Sequence, residues 1–464
     1  MPAPNKSGLE TKTQSCVDAA TLSTSTENLL SLAVAKSQLC SSFCNSVATC
    51  TDLPDIFEAK IPNGQLAFVA DIEEIVMASD NCWIGLDGRL LRNDVPLRKL
   101  WAWGGGNFVG TLGDGTTTNR ASPVTTFGGG TNWCQIGVQT SAYHSAGIKM
   151  DGTLWTWGHN CCGALGVGDT SNRFSPVEVS GGGTNWCQTA VGNRSSGAVK
   201  TDGTLWTWGC NDTNQLAAGL SIFDNRSAPT YVTTTGSPNW KSVSMSGNHG
   251  VAVKNDGTMC TWGFNGSGQL GFGTLSPVCC NNPTAVVGGA TNWSIPAAGS
   301  AHSAGIKTDG TLWTWGRNSD GRLGDGTTTY RSSPVTVAGG GTNWCVISLG
   351  NQASAGVKFD GTLWTWGLAL CGALGDGQTV TNRSSPGTVA GGGTTWCTVS
   401  ISCAPATAAI KTDGTLWTWG WNGSCALATG TLVNRSSPGT TVGPNISWWK
   451  VGVGSHHMLG ITQE

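Results

Sequence analysis

His144, His249, His302 and His457 occupy one equivalent position in a repeated pattern, whose other three copies carry Ser195, Ala353 and Ala406. Metal or general-base chemistry would need carboxylates or further histidines recurring beside them, and none recur. Six arginines form a second repeat-equivalent set: Arg120, Arg173, Arg226, Arg331, Arg383 and Arg435, each shortly ahead of a Ser/Ala-Pro pair. Arginine presents a planar donor fork, so one reading is a multivalent face for anions or glycans. The other, which we prefer, is an arginine that binds loop carbonyls and covers a tryptophan face. Lys149, Lys200, Lys254, Lys307, Lys358 and Lys411 form a third set, each two residues before an Asp, which solvated hairpin ends explain. The Leu-Gly-Asp-Gly loops at 112–115, 323–326 and 374–377 offer one carboxylate each, too few for a calcium cage. The triple-Gly stretches precede strands instead of helices, unlike phosphate-binding loops. No Ser-His-Asp set or carboxylate pair stands out. No active site, metal site or cofactor is expected.

Eighteen cysteines are a moderate load for 464 residues. Cys134, Cys187, Cys345 and Cys397 each follow the Trp of a Thr-(Asn/Thr)-Trp triplet. They read as small buried hydrophobes in a sheet. The alternative pairs some of them with the loop cysteines Cys162, Cys371 or Cys425, and spacing alone does not decide between the two. No Cys-x-x-Cys or His-Cys set has zinc spacing.

What positions these residues is a repeat. Asp309-Gly310-Thr311-Leu312-Trp313-Thr314-Trp315-Gly316 recurs almost letter for letter at 151–158, 202–209, 360–367 and 413–420. Asp256–Gly263 carries Cys260 in place of the first Trp, and Trp101-Ala102-Trp103-Gly104 lacks the leading Asp-Gly. The first-Trp markers at 101, 155, 206, 260, 313, 364 and 417 are 51 to 54 residues apart. Such a period marks an array. Within one unit, Asp309-Gly310 joins two apolar runs as a hairpin turn. Ser333–Val337 then makes a fourth strand, with Pro334 at its start, where a missing N–H is tolerated. Four short antiparallel strands in about 50 residues make a propeller blade. Of the 23 Trp, the Trp-x-Trp set (Trp101, Trp103, Trp155, Trp157, Trp206, Trp208, Trp313, Trp315, Trp364, Trp366, Trp417 and Trp419 among them) should pack between blades, with seven more opening the first strands. The small residues of the Ser-Ala-Gly-Ile strand are expected at the central channel. The C-terminal Gly460-Ile461-Thr462 lacks the Trp-x-Trp strand that follows elsewhere, and Lys99–Gly104 supplies it. One blade is therefore built from both ends of the array, which removes two free sheet edges. The expected fold is all-β: a seven-bladed β-propeller of four-stranded blades over 96–464, preceded by a small mixed α/β module over 1–95.

Residues 1–80 hold 4 Lys/Arg and 10 Asp/Glu, near −6, in a chain of net charge −2. A helix is expected over about 23–48, with strands within about 65–92. Only 11% of residues are charged, against roughly 25% in ordinary domains, so the surface is largely Thr, Ser, Asn and Gly. Nothing points to nucleic acid as a partner. No basic start precedes an apolar run, and no window approaches about 18 apolar residues, so neither a secretory leader nor a membrane span is expected.

The array resembles the regulator-of-chromosome-condensation repeat family. The shared pieces are Asn-x-x-Gly-x-Leu-Gly at Asn160–Gly166, Asn265–Gly271 and Asn318–Gly324, the strands bearing His249 and His302, and the Asp-Gly-Thr-Leu-Trp-Thr-Trp-Gly strand. The resemblance implies a seven-bladed propeller and a structural, hydrogen-bonding role for His144, His249, His302 and His457. Family members include nucleotide-exchange factors and ubiquitin ligase modules. The founding member's inserted wedge and basic tail have no counterpart here, where repeat lengths are even and the tail is acidic. The Asn81–Arg89 run resembles a short module ahead of repeats in tailed-phage virion proteins. The reading these observations favour is a non-enzymatic structural or adhesive propeller on a virion or other extracellular assembly. Residues 1–95 would dock to other structural subunits, and the propeller would bind host-surface glycan or protein. The alternative is an intracellular interaction scaffold of the chromosome-condensation type, acting on a small GTPase or other partner. An enzymatic propeller would need a carboxylate pair that the sequence offers no way to place.

Overall fold

A computed structural model describes residues 98–463, except 129, 140, 234–238, 276–279, 403–405 and 444–445, together with five short strands between residues 57 and 92. The chain divides into two compact units, Met1–Leu97 and Arg98–Glu464. In the first, Phe57–Lys60 pairs antiparallel with Leu66–Val69, while Val76–Ser79, Cys82–Ile84 and Leu90–Arg92 form a three-stranded sheet. The helix expected over about 23–48 lies outside the described residues.

The second unit is seven four-stranded antiparallel sheets. We number these blades 1 (133–178), 2 (186–231), 3 (240–285), 4 (293–336), 5 (344–388), 6 (396–440) and 7 (447–463 with 100–125). Blade 7 closes the ring as the repeat count requires. His457–Gln463 lies between Ser447–Val453 and Leu100–Gly104, with Ile461 opposite Leu100 and Met458 opposite Trp103.

Blade 4 shows why the repeated letters are what they are. Asp309 Oδ1 accepts the Thr311 N–H at 2.9 Å and the Thr311 hydroxyl at 2.6 Å, which holds the turn. Gly310 sits at φ +76°, and a Cβ there would lie 2.0 Å from the Thr342 carbonyl oxygen. Thr311 Oγ1 in turn accepts the Trp313 indole N–H at 2.9 Å. Leu312 and Trp315 are buried in the core. Thr314, also buried, donates its hydroxyl to the Leu323 carbonyl at 2.7 Å and so ties the following loop to its own strand. Each indole removes about 150–250 Å² from water, so the rings dominate the packing. Trp293 from the first strand meets Trp313 and Trp315 edge-on, at 6.4 and 6.0 Å between centroids.

The small second-strand residues do not line the channel, contrary to the expectation above. The lining comes from the first strands, including Gly137, Ala190, Ser244, Ala297, Ser348 and Ser400. The second strands sit one place further out and are covered on both faces, as the uniformly buried His302–Ile306 run shows. Their smallness has a different cause, because the first-strand indoles lie over them. A Cβ on Gly305 would come within 2.8 Å of the Trp293 ring, and one on Gly147 within 2.6 Å of Trp133.

The six lysines also differ from expectation. Lys307 Nζ lies 4.9 Å from the Trp293 ring and 4.3 Å from Trp313. Lys149, Lys200, Lys358 and Lys411 each lie over a matching pair of rings. They lie over the indole rings, held by cation–π attraction and stem packing, instead of simply facing solvent. Lys254 lies over Trp240, at 5.2 Å, in the blade where Cys260 replaces the second ring.

Gly310→Ala should lower stability by about 2 kcal/mol or more, combining a left-handed alanine with contact against a backbone carbonyl. Thermal unfolding of the variant against the parent protein measures this, and an unchanged midpoint would refute the role given to the Asp-Gly turn.

Candidate functional site

Function in a propeller is sought at the seams between blades, at the channel and on the loop faces, and the repeated residues distribute among these. The second Trp of each Trp-x-Trp pair crosses a seam. Trp157, Trp208, Trp262, Trp315, Trp366, Trp419 and Trp103 donate their indole N–H to the carbonyls of Thr111, Ala164, Gln215, Gln269, Arg322, Ala373 and Ala426, at 2.9 to 3.1 Å. Each carbonyl belongs to the loop after the third strand of the preceding blade. That loop is braced from within by an asparagine: Asn318 Oδ1 accepts the Leu323 N–H at 3.0 Å, and Asn160 and Asn265 do the same for Leu165 and Leu270.

The four histidines cross the same seams. Nε2 of His144, His249, His302 and His457 lies 2.9 to 3.1 Å from the hydroxyls of Ser196, Ser303, Ser354 and Ser145, each on the next blade. Each serine donates to the loop carbonyl that also accepts the Trp N–H, for example Ser354 to Arg322 O at 2.8 Å. With its one proton placed there, the serine must accept from the histidine, so the proton sits on Nε2. The three blades without this histidine have no serine opposite. Ser195 faces the Gly250 position, Ala353 the Thr407 position and Ala406 the Met458 position. Histidine and serine therefore occur together, one blade apart. All four histidines are buried. Burial pushes His144, His249 and His457 down to about 3, and also holds His302 well below the usual histidine range. They are neutral connectors in the interior, with no open face toward a substrate.

The arginines begin the fourth strands, where Arg331 pairs with Gly316. Five of them meet a carboxylate of the preceding loop. Arg120–Asp114, Arg173–Asp169, Arg331–Asp325 and Arg383–Asp376 lie at 2.6 to 2.8 Å, and Arg226 pairs with Asp224. Asp325 is pushed up by burial, but hydrogen bonds from Arg331 and Thr327 outweigh this and leave it below the usual carboxylate range. Arg435 has no such acid and donates to its own strand's Thr440 carbonyl at 2.9 Å. The Leu-Gly-Asp-Gly loops and the arginines are thus two halves of one loop closure, and the six do not present six free guanidiniums.

The loops after the third strands emerge from one end of the ring, together with the short turns after the first strands. This face carries most of the exposed large apolar side chains, among them Phe108, Phe223, Leu275, Leu370, Val380 and Leu432, between 52% and 81% exposed. At the seam of blades 7 and 1 an aromatic group gathers. His456 stacks on Tyr143 at 5.8 Å, and Trp421 meets His456 edge-on at 5.7 Å. Phe108 tilts against Tyr143 at 5.8 Å. Phe108, Tyr143 and His456 line a cleft with Thr117 and Asn119. Sequence reading missed this group, because its members come from three blades and none of them repeats.

It also missed the partner of Cys162. Cys162 is bonded to Cys210, 48 residues on and in the next blade, not to one of the first-strand cysteines. The Cys161 Sγ lies 3.4 Å from the Cys162 Sγ.

With this geometry in view, comparison with known proteins is specific for the repeat. Residues 151–199, 202–253, 256–306 and 309–357 match the Regulator of chromosome condensation (RCC1) repeat. The Ultraviolet-B receptor UVR8 of Arabidopsis thaliana is 30% identical over 291 residues, which is 62% of this chain and 64% of that protein. The mitochondrial RCC1 domain-containing protein RUG3 of the same plant is 27% identical over 294 residues, 62% of this chain and 65% of its own length. The chain thus spans just under two thirds of the length of these relatives. Among solved structures, Prp20p from Saccharomyces cerevisiae matches with a TM-score of 0.69 at 18% identity, covering 80% of this chain and 92% of that one. Human WBSCR16 matches with the same score and identity, covering 79% and 99%. The chain is a seven-bladed propeller carrying regulator-of-chromosome-condensation repeats, and the structural likenesses, at this identity, speak to fold alone.

The buried histidines make stability depend on pH. Their folded values lie near 3, below the roughly 6.5 of an exposed histidine. The unfolded chain therefore binds protons first as pH falls. The seam contribution is complete above about pH 6.5 and declines below it, by up to about 1.4 kcal/mol per pH unit for each histidine. The melting midpoint should be level near neutral pH and fall steeply toward about pH 5. In His249→Ala the fall should be shallower, and a parent profile level down to that pH would show the histidines are not held neutral.

Proposed function

We propose that this propeller is a non-enzymatic protein-interaction scaffold that engages its partner through the face bearing the loops after the third strands. The observation that carries this reading is the concentration of exposed apolar side chains on those loops. Phe108, Phe223, Leu275, Leu370 and Leu432 come from five different blades and share one end of the ring. Large apolar groups gathered on one exposed face mark an interaction surface more often than scattered single residues do. Aromatic anchors such as Phe108, Tyr143 and Trp421 are the side chain types that dominate binding energy at protein interfaces. The histidines, by contrast, are buried and neutral, and most of the arginines are engaged by carboxylates. Catalysis would need a reactive group open to solvent, and the repeated residues supply none.

The relatives support a protein ligand. Prp20p was crystallised in a study of its binding to Gsp1p and histones. This supports the interaction scaffold ahead of display on a virion, for which the relatives offer no parallel. Among the described residues no helix is long and apolar enough to cross a membrane. The partner is a folded protein with an apolar patch of its own, since the loop face offers apolar side chains and few free charges.

The test is affinity capture under crosslinking from source cells, comparing the parent chain with a Phe108→Ser, Phe223→Ser, Leu370→Ser, Leu432→Ser variant. The four changes lie on exposed side chains and should leave the melting midpoint within about 1 °C per site. A partner lost from the variant supports the loop face. Identical captured sets from both proteins would move the interaction elsewhere.

A further inference from the structure

We propose that Cys161, Cys162 and Cys210 form a redox-gated site for a thiophilic d10 cation of the zinc or copper(I) class. The site would fasten blade 1 to blade 2 when the Cys162–Cys210 disulfide is reduced. This inference is independent of the interaction reading.

The three sulfurs lie within 4.8 Å of one another. A metal–sulfur distance of about 2.3 Å, with the ligands arranged trigonally or tetrahedrally, separates the sulfurs by about 3.8–4.0 Å. The observed group is therefore already close to a coordination shell. The backbone explains how neighbouring residues reach one point. Side chains of adjacent residues ordinarily diverge, but Cys162 sits in the left-handed region at φ 59°, and its Sγ comes to 3.4 Å from that of Cys161. Cys210 enters from the next blade, immediately after the Trp208-Gly209 strand end, and is fully buried. Cys161 lies beside the bridge without being needed for it, and a third sulfur is what a disulfide has no use for.

The arrangement is confined to one seam of the seven. At the places of Cys161 and Cys162, the other loops carry Phe108-Val109, Asp212-Thr213, Gly266-Ser267, Ser319-Asp320, Leu370-Cys371 and Gly423-Ser424. At the place of Cys210 the other blades carry Gly105, His159, Phe264, Arg317, Leu368 and Trp421. Cys371 therefore faces Trp421's position and has no sulfur opposite. Only the seam of blades 1 and 2 has the complete set, from residues 48 apart.

The two states are related by balanced steps. A dithiol reductant attacks the Cys162–Cys210 bond by thiol–disulfide exchange. It becomes oxidised to its own disulfide, while Cys162 and Cys210 gain two electrons and two protons between them. Binding the cation then releases the three thiol protons, so that three thiolates surround it. Soft thiolates select zinc and copper(I) over calcium or magnesium. Under oxidising conditions the disulfide spans the seam, and under reducing conditions the metal does. One fastening replaces the other.

The experiment is zinc titration of the full chain, reduced by a dithiol and exchanged into reductant-free anaerobic buffer, against a chromophoric chelator. Reduced thiols elsewhere in the chain would compete with the chelator for zinc, so the readout is the difference between proteins. Parent protein should withhold one more equivalent from the chelator than either Cys161→Ser or Cys210→Ser. It should lose that equivalent on oxidation and regain it on reduction. Cys371→Ser should match the parent. Cys161→Ser leaves the disulfide pair intact, so its oxidised form should keep the parent's melting midpoint and confirm folding. Equal zinc retention by parent and Cys161→Ser, both folded, would overturn the proposal. So would an extra equivalent that survives oxidation.

Discussion

The indole N–H of the second Trp, donated to a backbone carbonyl of the preceding blade, is the interaction on which the remaining structure depends. It occurs at all seven seams, from Trp103 to Trp419. A blade presents two apolar faces, and apolar packing alone is non-directional. The hydrogen bond supplies the missing register, because a buried indole N–H without an acceptor costs about 1–3 kcal/mol. The acceptor must be a carbonyl at a fixed height, which is why each loop after a third strand is held so rigidly. An asparagine accepts from its Leu N–H, the third-strand Thr donates to its Leu carbonyl, and an Arg–Asp pair closes its far end. The repeated motif letters serve one seam acceptor.

The histidine–serine pairs add a second donor to that acceptor at four seams. Their absence at the other three shows that they reinforce the register without creating it. A buried neutral imidazole is tolerated because Nε2–H is used by the serine. At His249 the other nitrogen also finds Ser246, at 2.8 Å. At His302 the equivalent of Ser246 is Gly299, which leaves Nδ1 without a partner. There a Cβ would stand 2.4 Å from the ring. The seams are thus alike in their Trp anchor and individual in what surrounds it, and the cysteine group between blades 1 and 2 is the extreme case.

Much of this architecture was legible in the letters, because a repeat reports its own geometry. The period of the Trp-x-Trp markers, the Asp-Gly turns and the missing strand after Ile461 together specified seven blades and their closure. What could not be read were relations between blades. The serine partners of His144 and His302 lie 52 residues away and were invisible until the blades were stacked. The same holds for Cys162 and Cys210, and for the aromatic group of Phe108, Tyr143, Trp421 and His456. The small second-strand residues were assigned to the channel because smallness suits crowding at an axis. The crowding proved to come from indoles beside them. Lysines before an Asp looked like solvated turn ends, yet their stems and charges lie over tryptophans, a placement that no spacing along one strand reveals.

The closure of blade 7 sets how the molecule can come apart. An open repeat array has two terminal units, each held on one side only, and these fray and need polar caps. Here Leu100–Gly104 is paired with His457–Gln463, so every blade has two neighbours and none is terminal. Local escape of any blade must rupture two seams at once, together with both of their indole anchors. Opening therefore has no preferred starting point at an end of the array, and the ring should be lost as one event instead of unravelling blade by blade.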